Sequence, residues 1–286
     1  MDRTTSSGYI DSELFVDERG AADKLFFEGN VAIAVSGAGS SKSFQVLASN
    51  QAFGVDYLEK TQALPLRLNV GGNVNDNITD WALKQFRDHY RPGKGKHAQA
   101  VTKPAIFHYV YAVLHDPVYR DKYAQNLKRE FPRIPRYGQT ETDFLRWAGW
   151  GEQLIAMHIG YETIEPWPLI RIDIDDEVAR AASQSPKPLL KADKPGSRIL
   201  LDSETTLSGI PPEAWGYKLG NRSALEWILD QYKERIPRDV TIRERFNTYR
   251  FADYKEDVID LLLRVTRVSV QTQKIMEAMG STLHRS

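Results

Sequence analysis

The stretch Val31-Ala32-Ile33-Ala34-Val35-Ser36-Gly37-Ala38-Gly39-Ser40-Ser41-Lys42-Ser43-Phe44-Gln45-Val46-Leu47 admits two readings, and the choice between them sets the fold. An apolar run followed by small residues and a lysine resembles a phosphate-binding loop, which would open a nucleotide-binding α/β unit. Such a loop needs glycine directly before the lysine and another five residues earlier, so that bare backbone can wrap phosphates. Ser41 and Ser36 stand there instead. The mechanism also wants a helix N-terminus after the lysine, to aim its dipole at the anion. Phe44-Gln45-Val46-Leu47 is a β-type run. The stretch therefore reads as two strands joined by a small-residue turn. Ser40, Ser41, Lys42 and Ser43 suit a close approach to a phosphate oxygen, and a plain connecting turn is the alternative.

Outward from this stretch, Lys24-Leu25-Phe26-Phe27 is a further β-type run, with Gly29-Asn30 as a hairpin-type turn signal. Leu64-Pro65-Leu66-Arg67-Leu68 fits an edge strand, because Pro65 has no N–H to give to a ladder. At Gly71-Gly72-Asn73 the pattern turns helical. Asn77 or Thr79 caps a helix with Trp81, Ala82, Phe86 and Tyr90 on one face. Pro104 opens a second helix, and Pro117 a third that runs through Tyr123 and Leu127 to Glu130. Thr142 or Asp143 begins a longer one, with Leu145, Trp147, Leu154 and Ile155 as core candidates. Pro166 to Pro195 is a connector, with strands expected at Leu189-Leu190 and over Arg198 to Asp202. Ser223 to Arg235 and Lys255 to Met279 follow as amphipathic helices, the last the clearest, with apolar positions three and four apart. The class is α+β: a β-rich N-terminal part, a helical middle, a second small β patch and a long C-terminal helix. The expected divisions are a flexible start over 1–23, a β-rich region over 24–72, a helical one over 73–165, a mixed one over 166–279, and a tail over 280–286.

The chain has 286 residues and no cysteine, which excludes disulfides, thiolate chemistry and zinc held by sulfur. No run of about 18 apolar residues and no signal-like start are present, so a cytoplasmic protein without membrane contact is expected. The net charge is zero, yet its distribution is uneven. Met1 to Leu83 holds six Lys/Arg and eleven Asp/Glu, whereas Lys84 to Arg136 holds twelve against four. A basic middle of this kind fits a surface that docks on DNA; a solvated face or one turned to an acidic partner fits as well.

Four further constellations bear on chemistry. Arg91-Pro92-Gly93-Lys94-Gly95-Lys96-His97, with Lys103 close behind, is a basic loop whose cations would displace counterions from a duplex. Asn221-Arg222 precedes a helix that Asn221 or Ser223 caps, and the forked donors of Arg222 suit a phosphate or a guanine edge. Asp173-Ile174-Asp175-Asp176-Glu177 could ligate Mg²⁺, but no lysine in an Asp…Glu-x-Lys arrangement accompanies it, and a solvated face is the better reading. His115-Asp116 and His158 lack ligand spacing and read as satisfied or exposed side chains.

Several strings together resemble the C-terminal specificity region of Type ISP restriction–modification enzymes. They are Val35 to Phe44, Ile78-Thr79-Asp80-Trp81, Ile106 to His115, Tyr119-Arg120, Phe131-Pro132-Arg133-Ile134-Pro135 and Leu154 to Glu162. The strongest are Leu207-Ser208-Gly209-Ile210-Pro211, Trp215, Tyr217 and Gly220 to Trp227. Such enzymes join a nuclease, a helicase-like ATPase, a helical coupler, an adenine-N6 methyltransferase and a target recognition domain in one polypeptide. The resemblance implies that residues 24–279 form that recognition domain and bind double-stranded DNA. Its expected contacts are Ser40, Ser41, Lys42, Ser43, Arg91, Lys94, Lys96, His97, Lys103, Asn221 and Arg222. It implies no catalytic residue and no cofactor in this chain, with S-adenosylmethionine, ATP and Mg²⁺ used upstream. The methyltransferase's Asn-Pro-Pro-Tyr-type tetrapeptide is absent, since Pro211-Pro212 follows Ile210 and precedes Glu213. The chain thus looks like an excised or separated C-terminal piece, with the methyltransferase and coupler as partners. The sequence departs from the family at Gln62-Ala63-Leu64-Pro65, where bulkier residues usually precede the proline. A docking module of the same enzyme with little DNA binding of its own is the other function to weigh.

Overall fold

A computed structural model describes residues 9–10, 14–15, 27–54, 56–91, 98–235, 239, 241 and 248–283. The fold is α+β, built from several small antiparallel sheets and a long C-terminal helix. Two compact units divide the chain: Met1–Gly160 with Ile275–Ser286, and Tyr161–Lys274.

In the first unit a short strand β1 (Tyr9–Ile10) pairs with β7 (Ile134–Pro135). Strands β2 (Ala32–Val35), β3 (Val46–Ser49) and β4 (Gln62–Pro65) form a three-stranded sheet with β2 central. Every residue of β2 is buried, as its unbroken apolar run requires. β4 is the edge strand that Pro65 demands, and the chain starts a new strand, β5 (Arg67–Val70), directly after it. β5 pairs with β6 (Asn73–Asp76) through Gly71 and Gly72, both at positive φ (60° and 84°), the pattern of a tight two-residue hairpin turn.

Four helices follow. α1 (Asp80–His89) is capped by the Thr79 hydroxyl, which accepts from Ala82 N. α2 (Lys103–His115) is capped by Thr102, and α3 (Pro117–Lys122) by Asp116. α4 (Glu141–Ile159) starts at a capping box between Thr140 and Asp143. Two expectations are corrected here. The helix from Pro117 ends at Lys122 and gives way to turns, because between Tyr123 and Glu130 Leu127 alone is fully buried, Tyr123 packing only partly against the core. Leu145 and Trp81, expected inward, are exposed.

α2 and α4 are in intimate contact at Gly151, where an added Cβ would lie 1.7 Å from the His108 carbonyl oxygen. Around this contact Phe86, Tyr90, Tyr109, Phe144 and Trp147 form one aromatic core. Its hydroxyls are spent inside: Tyr90 donates to Tyr137 O and Tyr109 to Pro135 O, each at 2.9 Å. Lys24 to Phe26 lie outside the described residues.

The second unit is a four-stranded antiparallel sheet in the order β8 (Ile170–Asp173), β11 (Thr205–Ser208), β10 (Arg198–Asp202), β9 (Pro188–Asp193). A short helix α5 (Glu177–Ala181) follows β8. Leu190, Ile199, Leu201 and Leu207 join Trp215, Leu225, Phe251, Val258 and Leu262 in a second core. A hairpin of β12 (Lys218–Leu219) and β13 (Arg222–Ser223) leads into α6 (Ala224–Gln231), capped by a box between Ser223 and Glu226. α7 (Lys255–Leu283) closes the described chain; its start is fixed by a 2.7 Å ion pair from Lys255 to the buried Asp202. That carboxylate also accepts from the N–H groups of Glu204 and Thr205.

Candidate nucleic-acid interface

The turn between β2 and β3 is folded around a carboxylate that comes from the β3–β4 connection. Ser40 Oγ donates to Glu59 Oε2 at 2.9 Å. Ser41 donates to Glu59 Oε1 twice, from its N–H at 3.1 Å and its hydroxyl at 2.9 Å. These donors hold the Glu59 carboxyl down to about 2, led by the Ser41 N–H. Gly37 N–H donates to Glu59 O, and Lys60 Nζ donates to Gly39 O at 2.9 Å. Gly37 is obligatory, because a Cβ there would lie 2.2 Å from Lys60 O. Glu59 and Lys60 both sit at positive φ (68° and 52°), a conformation that L-residues adopt at a cost of roughly 1–2 kcal/mol each.

Five N–H groups that a nucleotide would need, those of Gly37, Gly39, Ser40, Ser41 and Lys42, are thus engaged inside the protein. Gly39 N–H goes to Lys128 O at 2.7 Å, Ser40 N–H to Gly37 O, and Lys42 N–H to Ser40 Oγ. The turn is an anion nest already filled by its own anion. Of the four residues expected there, Ser40 and Ser41 serve Glu59, while Lys42 and Ser43 stand exposed. The Gly39 bond also ties the turn to the basic segment after α3, and the Arg120 guanidinium lies 5.7 Å from the Phe44 ring centre. Lys42, Lys60, Lys128 and Arg120 therefore gather on one part of the first unit, although they are far apart in sequence.

Arg91 is exposed at the end of α1. Lys103, in the first turn of α2, pairs with Asp80 at 2.8 Å, at the other end of α1. Lys103 and Arg91 thus lie toward opposite ends of α1 and do not form one cluster with each other. Lys94, Lys96 and His97 lie outside the described residues.

In the second unit Asn221 is exposed at the tip of the β12–β13 hairpin, next to Gly220 at φ 69°. Ser223, not Asn221, caps α6. Arg222 donates to Asp230 Oδ2 at 2.9 Å and lies over the Trp227 ring, 5.5 Å from its centre. Trp227 is 39% exposed, and its indole N–H donates to Leu219 O. The forked donors of Arg222 are thereby oriented, with Arg235 on the same Asp230 carboxylate. The acidic run is consumed locally: Asp173 accepts from Thr205 Oγ1 and Arg171, Asp175 pairs with Arg180, and Asp176 caps α5. Among the described residues no group of three His, Cys, Asp or Glu side chains could hold a metal ion. His115 and His158 are both buried, so the exposed alternative falls away.

Sequence reasoning missed Glu59, Lys60 and Lys128. Nothing near Ser41 signals a carboxylate eighteen positions later; two serines behind two glycines imply only that some anion belongs there.

The family described as the Type ISP C-terminal specificity domain matches residues 9–261. The chain belongs to this family. Among solved structures, this specificity domain is 50% identical to a chain of the DrdV–DNA complex determined by cryo-electron microscopy. The TM-score is 0.79, and the match covers 89% of this chain and 25% of that one. A nuclease-deletion mutant of the Type ISP restriction–modification enzyme LlaGI, in complex with a DNA substrate mimic, matches at 25% identity and a TM-score of 0.62, over 87% of this chain and 21% of that one. The ATP-dependent Type ISP enzyme LlaBIII bound to DNA shares the fold at 21% identity and a TM-score of 0.67, over 92% of this chain and 17% of that one. The specificity domain thus spans a quarter or less of the length of each of these chains. A comparison with curated proteins gives no match. Among the described residues no helix is long and apolar enough to cross a membrane.

Proposed function

We propose that this specificity domain binds double-stranded DNA in a sequence-dependent way, as the recognition part of a Type ISP restriction–modification enzyme. In this reading it directs methylation and cleavage by upstream domains. It makes no bonds itself; S-adenosylmethionine, ATP and Mg²⁺ belong to those upstream domains. The observation that carries the reading is half-identity over nearly the whole chain to part of a protein seen on DNA. The charge distribution supports it, with twelve basic residues against four acidic ones from Lys84 to Arg136. Lys42, Ser43, Arg91, Lys94, Lys96, His97 and Lys103 would contact phosphates, with Ser40 and Ser41 acting through the turn they hold. Asn221 and Arg222 would face base edges or phosphates from the second unit, in the way forked and amide donors read the major groove.

Equilibrium binding of the chain to duplexes over a salt series tests this. Affinity should fall linearly on a logarithmic salt scale, and Lys94→Ala with Lys96→Ala should lower that slope by about 1 per lost phosphate contact. Selection from random duplexes should return a motif. Absence of binding to any duplex, or equal binding to all, overturns the proposal.

A docking role is favoured by one observation of its own. Ile170, Ile172 and Ile174 are 63%, 42% and 69% exposed on alternate positions along and beyond the edge strand β8, and Val178 is 80% exposed. Such a row marks a surface that another protein segment covers. Retained assembly with upstream domains but no DNA binding would favour this second reading.

A further inference from the structure

Glu59 is an odd residue to find where a phosphate was expected. A fixed carboxylate repels phosphate oxygens, so on a DNA-facing surface it has to point elsewhere. The groups on DNA that welcome it are the exocyclic amines of the major groove, cytosine N4 above all. Adenine N6 is less suitable, because the N7 acceptor beside it opposes the carboxylate.

The geometry points to Glu59 as a base-reading acceptor that selects cytosine at one position of the recognised sequence, an inference that rests on the DNA-binding function proposed above. Three features argue for it. First, the carboxylate is oriented before any ligand arrives, by Ser40 Oγ and by the N–H and hydroxyl of Ser41. Its rotamer entropy is already spent, which favours discrimination over adaptability. Second, the orientation leaves capacity. Oε1 accepts two bonds near 3 Å, whereas Oε2 accepts one at 2.9 Å and shares a longer one of 3.2 Å. A carboxylate oxygen has two lone pairs, so Oε2 has room for an incoming amine. Third, cations belong to the same turn. Lys42 follows the two serines and Lys60 follows Glu59, both exposed, with Lys60 Nζ on Gly39 O, and Lys128 meets the turn through its backbone. Lysines that engage phosphates next to the carboxylate would hold it close to the base edges. The two left-handed residues add support, because backbone strain of this kind is retained where a side chain must be aimed.

A carboxylate that merely clamps two loops would be replaceable by an amide, and that separates the roles. In Glu59→Gln the amide oxygen still satisfies the Ser41 donors, but the nitrogen takes the outward place and turns an acceptor into a donor. In Glu59→Gly the side chain is lost while the positive φ is relieved. Duplexes are to be selected from a random pool by the full chain and by both variants, with unfolding midpoints measured alongside. We expect the wild type to favour cytosine at one position by about tenfold, as a charge-assisted hydrogen bond allows. Glu59→Gln should change that one position to a base presenting an acceptor, guanine or thymine, and Glu59→Gly should level it, with all other positions kept. An unchanged motif in Glu59→Gly overturns the inference and leaves the DNA-binding function standing. No motif for the wild type overturns both. Should Glu59→Gln lower the unfolding midpoint, the glycine variant decides.

Discussion

Gly151 shows how one atom can fix the relation of two helices. With hydrogen in place of a methyl group, α4 lies on the backbone of α2; a Cβ would stand 1.7 Å from His108 O. A backbone atom cannot swing away as a side-chain tip can, so the helices would have to part. Gly151→Ala should therefore destabilise the first unit by about 2 kcal/mol or more, read from urea unfolding of the variant against the wild type. A change below about 0.5 kcal/mol would show that the helices separate easily. The sequence around Gly151 gave no hint of this, since glycine inside a helical pattern normally signals only lost propensity. Glu59 was equally hidden, because its partners are serines eighteen and nineteen positions away. What could be read locally was the failure of the Gly37–Ser43 turn to match a nucleotide loop, and that judgement rested on two missing glycines and a following strand.

At the scale of elements, most starts were legible because caps act within four residues. Thr79, Pro104 and Ser223 all stand at helix starts as their chemistry requires. The boxes of Thr140 with Asp143 and of Ser223 with Glu226 satisfy two N–H groups each. Thr140→Ala and Ser223→Ala should each cost about 1 kcal/mol in thermal or denaturant unfolding. Ends were harder to read. The helix after Pro117 stops at Lys122 for want of buried positions, a property of the surroundings rather than of the segment. The isoleucine row beside β8 is likewise silent in sequence, where it looks like any half-buried strand. Ile172→Lys should reduce concentration-dependent light scattering by the isolated chain and shift stability by less than about 0.5 kcal/mol. Undiminished scattering would locate any self-association elsewhere.

For the whole molecule, the buried pair His115 and His158 sets a pH limit. Burial, reinforced by the Arg120 charge, pushes His115 well below the ordinary histidine range and His158 down to about 3. Nδ1 of His115 donates to Tyr111 O, its Nε2 is buried with no hydrogen-bond partner among the described residues, and His158 Nδ1 lies 2.6 Å from Tyr111 Oη. Both rings are neutral in the folded state and take up protons when the chain unfolds. Their contribution is present above about pH 6.5 and is lost as the pH falls from there toward 3. Denaturant unfolding at pH 7.5 and pH 5.5 should show this loss, and His115→Leu should make it shallower at little cost at pH 7.5. An unaltered slope in that variant would assign the acid sensitivity to other groups. A last feature concerns the chain's far end. Met279 is fully buried in the core that residues 14–160 build, and Ile275 packs against it. During synthesis that core therefore waits, with a gap in its wall, until the final turns of α7 leave the ribosome, whereas the core of 161–274 closes from contiguous chain. Residues 14–160 are thus made before 161–274 but completed after them, and a ribosome that stalls before Ile275 would release an open first unit for chaperones or proteases to meet.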